Sequence, residues 1–297
     1  MEQHASVGFI MNKAVKKVQD YGVLVMFSHT IFSLSFALIS MLLASGGLPD
    51  LNVMFWIFVA FIGARTGANA INRVIDAEID AKNPRTATRQ IPQGLMKKKE
   101  VIIFSILCFL VMLIGAAMLN PLCLLLSPIA LVLMVIYPYM KRYTWLCHVV
   151  LGITSASAPV GAWIAVTGTI SWLPLFMGAA NTAWVAGFDI IYGSQDYDFD
   201  RKNGLKSIPT KFGVKYGLYI AALFHAATIF FLVVVGLLST QLGTIYYVGV
   251  SIIAVLFIVE HWIVSPTNLA NVKIASYGIN QIVSIVFLVF GTIAALL

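Results

Sequence analysis

Asn72, Asp76 and Asp80 are spaced by four residues at the end of a long apolar run, so on a helix they stack along one face. Asp196 and Asp200 repeat the spacing, 120 residues further on. Hard oxygen donors in this arrangement suit magnesium, which takes one or two carboxylates, several waters and substrate phosphates. Two such pairs facing each other across one site would hold a diphosphate through the metal. Arg85, Arg89, Lys141, Arg142, Arg201, Lys202 and Lys206 lie beside them and carry donors for the remaining phosphate oxygens. The alternative is that these cations and carboxylates only form interfacial salt bridges. Two matched pairs, with Asn72 one turn ahead of the first, favour the diphosphate site, because carboxylates in or beside membrane spans are functional by default.

The elements that must position these residues are membrane helices. Of 297 residues, 60% are hydrophobic and 10% charged, against about 25% charged in a soluble domain. Apolar runs predict spans over 22–44, 53–81, 100–118, 122–140, 146–167, 172–195, 216–238, 244–264 and 275–296, each long enough to cross a bilayer. The expected architecture is an all-α membrane protein of nine transmembrane helices, one integral-membrane domain over 1–297. Residues 1–20 are polar, basic and amphipathic, without the apolar core and cleavage site of a signal peptide. They read as a cytoplasmic helix lying on the membrane surface.

Charge placement sets the orientation. With Lys13, Lys16 and Lys17 in the cytoplasm, nine spans bring the loops at 82–99, 141–145, 196–215 and 265–274 to the same side. Apart from Arg65 and Arg73, every Lys and Arg falls there, a strong positive-inside pattern. Both aspartate pairs then open to the cytoplasm, Glu260 and His261 reach the same face, and the C-terminus lies opposite. The net charge of +7 is spread over short loops, which is not a nucleic-acid footprint. Cys108, Cys123 and Cys147 lack metal spacing and read as packing residues.

The motifs together resemble those of the UbiA superfamily of intramembrane prenyltransferases. The first, N-x-x-x-D-x-x-x-D, stands as Asn72, Asp76 and Asp80, with Arg65 seven residues ahead and Arg85-Thr86, Arg89 and Ile91-Pro92-Gln93-Gly94 behind. Tyr137-Pro138-Tyr139-Met140-Lys141-Arg142-Tyr143 matches the family's exit from its fourth helix. The second motif is Asp189, Tyr192, Asp196 and Asp200, followed by Gly204-Leu205-Lys206-Ser207. The resemblance covers essentially the whole chain. It implies nine helices around a central cavity, in a terpene-synthase-like arrangement. It also implies magnesium-dependent transfer from a polyprenyl diphosphate to an aromatic ring, in a prokaryotic cytoplasmic membrane. For quinone-pathway members the ring is 4-hydroxybenzoate or a naphthoate relative. The F-x-H-T-x-F segment around His29, with Gly187-Phe188-Asp189-Ile190 and Ser207-Ile208-Pro209, is closest to the menaquinone-pathway MqnP branch. The Arg, Lys and Pro that begin the first helix of many 4-hydroxybenzoate enzymes are absent. The acceptor is therefore expected to be 4-hydroxybenzoate or a dihydroxynaphthoate-type acid.

In that chemistry the metal and basic side chains neutralise the diphosphate, and the C–O bond weakens to an allylic cation. The faces of Tyr139, Tyr143 and Tyr192 would stabilise it. The ring is alkylated ortho to a hydroxyl, and Asp189 or Asp196 is the candidate base. Arg65, two turns inside its span, needs an anionic partner: the acceptor carboxylate, the diphosphate or a motif aspartate. His29 and His148 either face the cavity or pack in the core. Trp145, Trp163, Trp184 and Trp262 read as interface anchors or packing. Haem farnesylation and lipid-ether synthesis are less close matches. A transporter would more often show helices broken near the midplane in two corresponding halves.

Overall fold

The computed structural model describes residues 20–24 and 31–297. His29 and the amphipathic segment predicted over 1–20, Asp20 excepted, lie outside the described residues. Within them the chain is helical. The long helices are α1 (Ile31–Ser45), α2 (Leu51–Ile75), α4 (Lys98–Leu119), α5 (Pro121–Ile136), α7 (Cys147–Thr167), α8 (Trp172–Gly193), α11 (Val214–Leu238), α12 (Thr244–Ile263) and α13 (Asn280–Leu296). Short helices sit between them at the polar loops: α3 (Ala77–Lys82), α6 (Met140–Tyr143), α9 (Tyr197–Lys202) and α10 (Ile208–Phe212).

Among the described residues, seven segments are long and apolar enough to cross a membrane. These are α2, α4, Pro121–Tyr143, α7, α11, α12 and Ile274–Leu296. Two further helices lie within the remaining predicted spans. The first is α1, short and apolar. The second is α8, whose 22 residues include Asn181 and Asp189 and whose buried face carries Met177, Asn181, Trp184 and Ile190.

Local chemistry sets the helix ends. Asp50 caps α2 by accepting from Asn52 N at 2.8 Å. Asn120 caps α5 by accepting from Cys123 N at 2.9 Å, with Pro121 at the first position, where its missing N–H leaves nothing unpaired. Ser207 and Thr210 form a reciprocal cap on α10. The helices then approach closely where side chains are small. A Cβ on Gly63 would lie 2.7 Å from the Cys108 carbonyl oxygen, and one on Gly152 2.4 Å from that of Thr182. Bare glycines thus let the backbones of α2 and α4, and of α7 and α8, meet directly.

Three predicted spans do not run through as single helices, and all three carry site residues. The span at 53–81 breaks at Asp76, which separates α2 from α3 with φ −90° and ψ −1°. The span at 122–140 passes into a tight turn at Tyr137–Tyr139 around Pro138, then into α6. The span at 172–195 ends at Gly193, and Ser194–Asp196 forms a 3₁₀ turn before α9. A fourth, at 275–296, begins with a π-helical turn, Ile274–Ile279.

Candidate functional site

Each broken helix end delivers part of one charged cluster. On α3, Asp80 is buried, and Arg89 Nη1 donates to both its oxygens at 2.7 Å. Thr86 Oγ1 donates to the Asp80 carbonyl at 3.1 Å, folding the basic loop back over the helix end. Asp76 is also buried, with Lys141 Nζ at 2.9 Å and Arg142 Nη2 at 3.2 Å. Arg142 also donates to the carbonyl of Ile75 at 2.8 Å, so α6 is tied to the break in the second long helix.

The second motif joins the same cluster. Arg85, from the loop after the first motif, grips Asp196 with Nε at 2.9 Å and Nη2 at 2.5 Å. Asn83 Nδ2 donates to the same carboxylate at 2.9 Å. Arg85 also donates to the Tyr192 hydroxyl and lies 4.6 Å above that ring's centre. Lys141 stands close enough to act on Asp196 and Asp200 as well as Asp76. The two aspartate motifs, 120 residues apart in sequence, therefore share one site.

The electrostatics separate the members of the second pair. Burial would raise the Asp196 pKa, but the hydrogen bond and charge of Arg85 outweigh it and hold the carboxyl below its usual range. Burial also opposes the charge on Arg85, yet Asp196 and Tyr192 push its pKa upward. Asp200 has no such partner among the described residues. Burial, reinforced by the Asp196 charge, raises it to about 6, the ordinary response of a carboxyl beside a like charge.

Other predicted residues fall further out. Lys202 and Arg201 are exposed on α9, where Arg201 Nη1 reaches the Tyr197 hydroxyl at 3.3 Å. Lys206 Nζ donates to the Tyr143 carbonyl at 3.1 Å, and Tyr143 is 68% exposed. Tyr139 lies under the Arg142 guanidinium at 5.3 Å. The Asn72 carbonyl accepts from Asp76 N at 3.0 Å. Among the described residues, no three His, Cys, Asp or Glu side chains stand close enough together to form a ready metal cage.

Inward of the cluster lies a cavity of about 390 Å³ enclosed by α1, α2, α4, α5 and α7. Its walls are almost entirely apolar, with Ala68, Met112, Leu133 and Ala162 among them, while Arg65, Asn69 and Tyr137 also line it. Tyr137 is within electrostatic reach of Arg65, Asp76 and Asp189. This links the cavity to both motifs.

The structure adds Asn83 and Tyr277, which sequence did not single out, and gives partners to His148 and Glu260. Asn83 bridges the motifs. Tyr277, in the π-helical turn, packs its ring 4.9 Å from that of Tyr192. His148 bonds Asp189 at 2.7 Å. Glu260, three residues before the end of α12, is fully buried. Asn280 Nδ2 donates to it at 2.8 Å, and Asn280 Oδ1 accepts from Trp184 Nε1 at 2.5 Å. An N-x-x-x-D spacing flags direct donors to a ligand, and none of these four residues lies in such a pattern.

A membrane bundle with a charged cluster at the polar end of an apolar cavity defines a protein for an amphipathic molecule, lipid-like along most of its length and highly charged at one end. The UbiA prenyltransferase family model matches residues 33–292. 4-Hydroxybenzoate octaprenyltransferase of Shewanella pealeana is 35% identical over 214 residues, 72% of this chain and 73% of that protein. The enzyme of the same name from Tolumonas auensis is 33% identical over 75% of this chain and 77% of its own. The apo structure of a UbiA homolog from Aeropyrum pernix K1 superposes with a TM-score of 0.82 at 34% identity, covering 91% of this chain and 98% of that one. A UbiA homolog from Archaeoglobus fulgidus bound to GPP and Mg2+ shares the fold at a TM-score of 0.68 and 21% identity, over 94% of this chain and all of that one. The chain belongs to the UbiA prenyltransferase family. It is an integral membrane enzyme, a prenyltransferase.

Proposed function

We propose that the enzyme transfers a polyprenyl group from a polyprenyl diphosphate to a hydroxylated aromatic carboxylic acid, 4-hydroxybenzoate or a dihydroxynaphthoate-type acid, in respiratory quinone biosynthesis. One observation carries the reading: both aspartate motifs and their cations gather at the polar end of one apolar cavity. The 4-hydroxybenzoate octaprenyltransferases among its relatives support the acceptor class.

The donor set fits magnesium, since Asn72, Asp76, Asp80, Asp196 and Asp200 offer only oxygen toward a hard cation. Bound there, partly through water and diphosphate, the metal would make diphosphate a better leaving group. The Archaeoglobus homolog with GPP and Mg2+ supports this assignment. Arg85, Arg89, Lys141 and Arg142 now satisfy the carboxylates. When a diphosphate arrives they turn to its oxygens, so no buried charge is left alone during the exchange. Lys202 and Lys206 lie outside this inner set and attract the anion at longer range. Tyr192 and Tyr139 present ring faces for the allylic cation, while the exposure of Tyr143 makes it the weaker candidate. Arg65 takes the acceptor carboxylate beside Tyr137.

The tail occupies the cavity. Ile129 of α5 and Ile153 of α7 line it and are 59% and 46% exposed, which supports a lateral route between those helices. Keeping the tail in lipid saves about 0.8 kcal/mol per CH₂. In this reading α1 and α8 also span, making nine helices in one domain. The site loops and N-terminus are then cytoplasmic and the C-terminus lies opposite, in a prokaryotic cytoplasmic membrane.

The test is prenyl transfer in membranes with magnesium and geranyl diphosphate, comparing 4-hydroxybenzoate with 1,4-dihydroxy-6-naphthoate and using EDTA as control. Metal-dependent product from one acid identifies the acceptor. Product from neither removes the aromatic-acid assignment.

A further inference from the structure

His148 and Asp189 form a pair that the diphosphate chemistry leaves unused. His148 opens α7 and is buried, with its Nδ1 2.7 Å from Asp189 Oδ2 on α8. The Asp189 side chain is 26% exposed, against 5% for His148. The histidine thus stands behind and the carboxylate faces the open side. The other ring nitrogen, Nε2, is buried with no hydrogen-bond partner among the described residues. The ring packs close against Gly193: a Cβ there would lie 3.1 Å from His148 Cε1. Asp189 acts on Tyr137, which lines the cavity with Arg65. This places Asp189 within electrostatic reach of the cavity wall, and about two helical turns before Asp196 in the chain.

We infer that His148 is a positioning residue for acceptor deprotonation, its Nδ1–H fixing Asp189 as the base that takes the ring proton. This rests on the aromatic-transfer reading above. The C–O electron pair of the donor leaves with diphosphate. A ring π pair forms the new C–C bond at a carbon ortho to the hydroxyl. The C–H pair at that carbon returns to the ring, and its proton passes to the open oxygen of Asp189. His148 gains and loses nothing in the step. It occupies Oδ2, so Oδ1 is the receiving atom, and it locks the carboxylate's orientation, as outer partners commonly do for reacting groups.

The experiment compares wild type, His148→Leu and His148→Asn, whose amide N–H can stand near the position of Nδ1. Each is assayed in membranes with magnesium, geranyl diphosphate and the accepted acid, either unlabelled or deuterated ortho to the hydroxyl. His148→Leu is expected to lower kcat about 10- to 100-fold, part of the ~10²–10⁴ that a general base supplies. The KM for geranyl diphosphate stays unchanged. A deuterium effect absent from the wild type appears, because ring deprotonation becomes slow. His148→Asn recovers most of the rate and suppresses the isotope effect. A leucine variant at wild-type rate overturns the role, and so does one that is slow without an isotope effect and without rescue by asparagine. Wild type that transfers to no aromatic acid overturns the acceptor reading and this role together. The wild-type rate alone distinguishes that result from the others.

Discussion

Replacing Arg89 by methionine separates the two jobs of the charged cluster. Asp80 keeps only 5% of its side chain exposed, and Arg89 covers both its oxygens at 2.7 Å. Removing one partner of a buried pair destabilises by about 3–5 kcal/mol, because the other charge stays buried and alone. Arg89 itself is 23% exposed, so water reaches the vacated space in part, and the expected loss falls to about 2–4 kcal/mol. Asp80→Asn in the Arg89→Met background removes the stranded charge and should restore about 1–3 kcal/mol as a coupling energy. Unfolding by graded denaturant in detergent, followed by helical signal, gives the four corners of the cycle. Prenyl transfer is measured on the same preparations. The double variant should be folded and inactive, since both groups are assigned to the metal and diphosphate. A single Arg89→Met variant as stable as wild type would refute the burial argument. A double variant that retains turnover would refute the functional one.

Three further outcomes follow from the same geometry. Asp76→Ala and Asp196→Ala should each abolish transfer while the protein still inserts and extracts as a folded species; full activity in either would remove the metal–diphosphate assignment. The folded-state pKa of Asp200 is raised to about 6, mainly by burial and then by Asp196, so its protonated form is favoured in the fold. Its contribution to stability is complete below the unfolded carboxyl value and is lost as pH rises through about 6. Stability profiles of the metal-free protein should therefore fall across that window, and Asp200→Asn should flatten the fall. Gly152→Ala places a methyl 2.4 Å from the Thr182 carbonyl oxygen and should destabilise by about 1–3 kcal/mol, whereas Gly161→Ala, with nothing within 4 Å of its Cβ, should unfold like wild type.

The chemistry of this chain was more legible in its sequence than the shape that delivers it. Asp76, Asp80, Asp196 and Asp200 announce themselves because carboxylates are rare in apolar runs and their spacing repeats. The breaks beside them do not, because a hydropathy pattern averages over the turn where Asp76 interrupts its helix and where Ser194–Asp196 tightens. Pro138 was the one visible signal among the three. The pairing of loop residues was equally hidden. Arg85 and Asn83 close on Asp196 through contacts spanning 111 and 113 positions, and local periodicity carries no such information. Glu260 was expected at the loop face from its place near a helix end. Asn280 donates to it and in turn accepts from Trp184, a chain of contacts among three helices that only packing reveals. His148 could be read equally as core or site, and the structure shows it buried and bonded to a motif aspartate.

The cavity wall at Ile129 and Ile153 has a kinetic consequence. A donor that enters sideways from lipid is supplied in two dimensions, by diffusion within the leaflet. Saturation then follows the donor's mole fraction among the surrounding lipids. Diluting the membrane with inert lipid, at constant bulk concentrations of enzyme and donor, would lower the rate. The aromatic acid arrives from water and would show no such dependence. By that route the enzyme would draw its two substrates from two different phases, and its apparent preference between donors would include how each one partitions and travels in the bilayer.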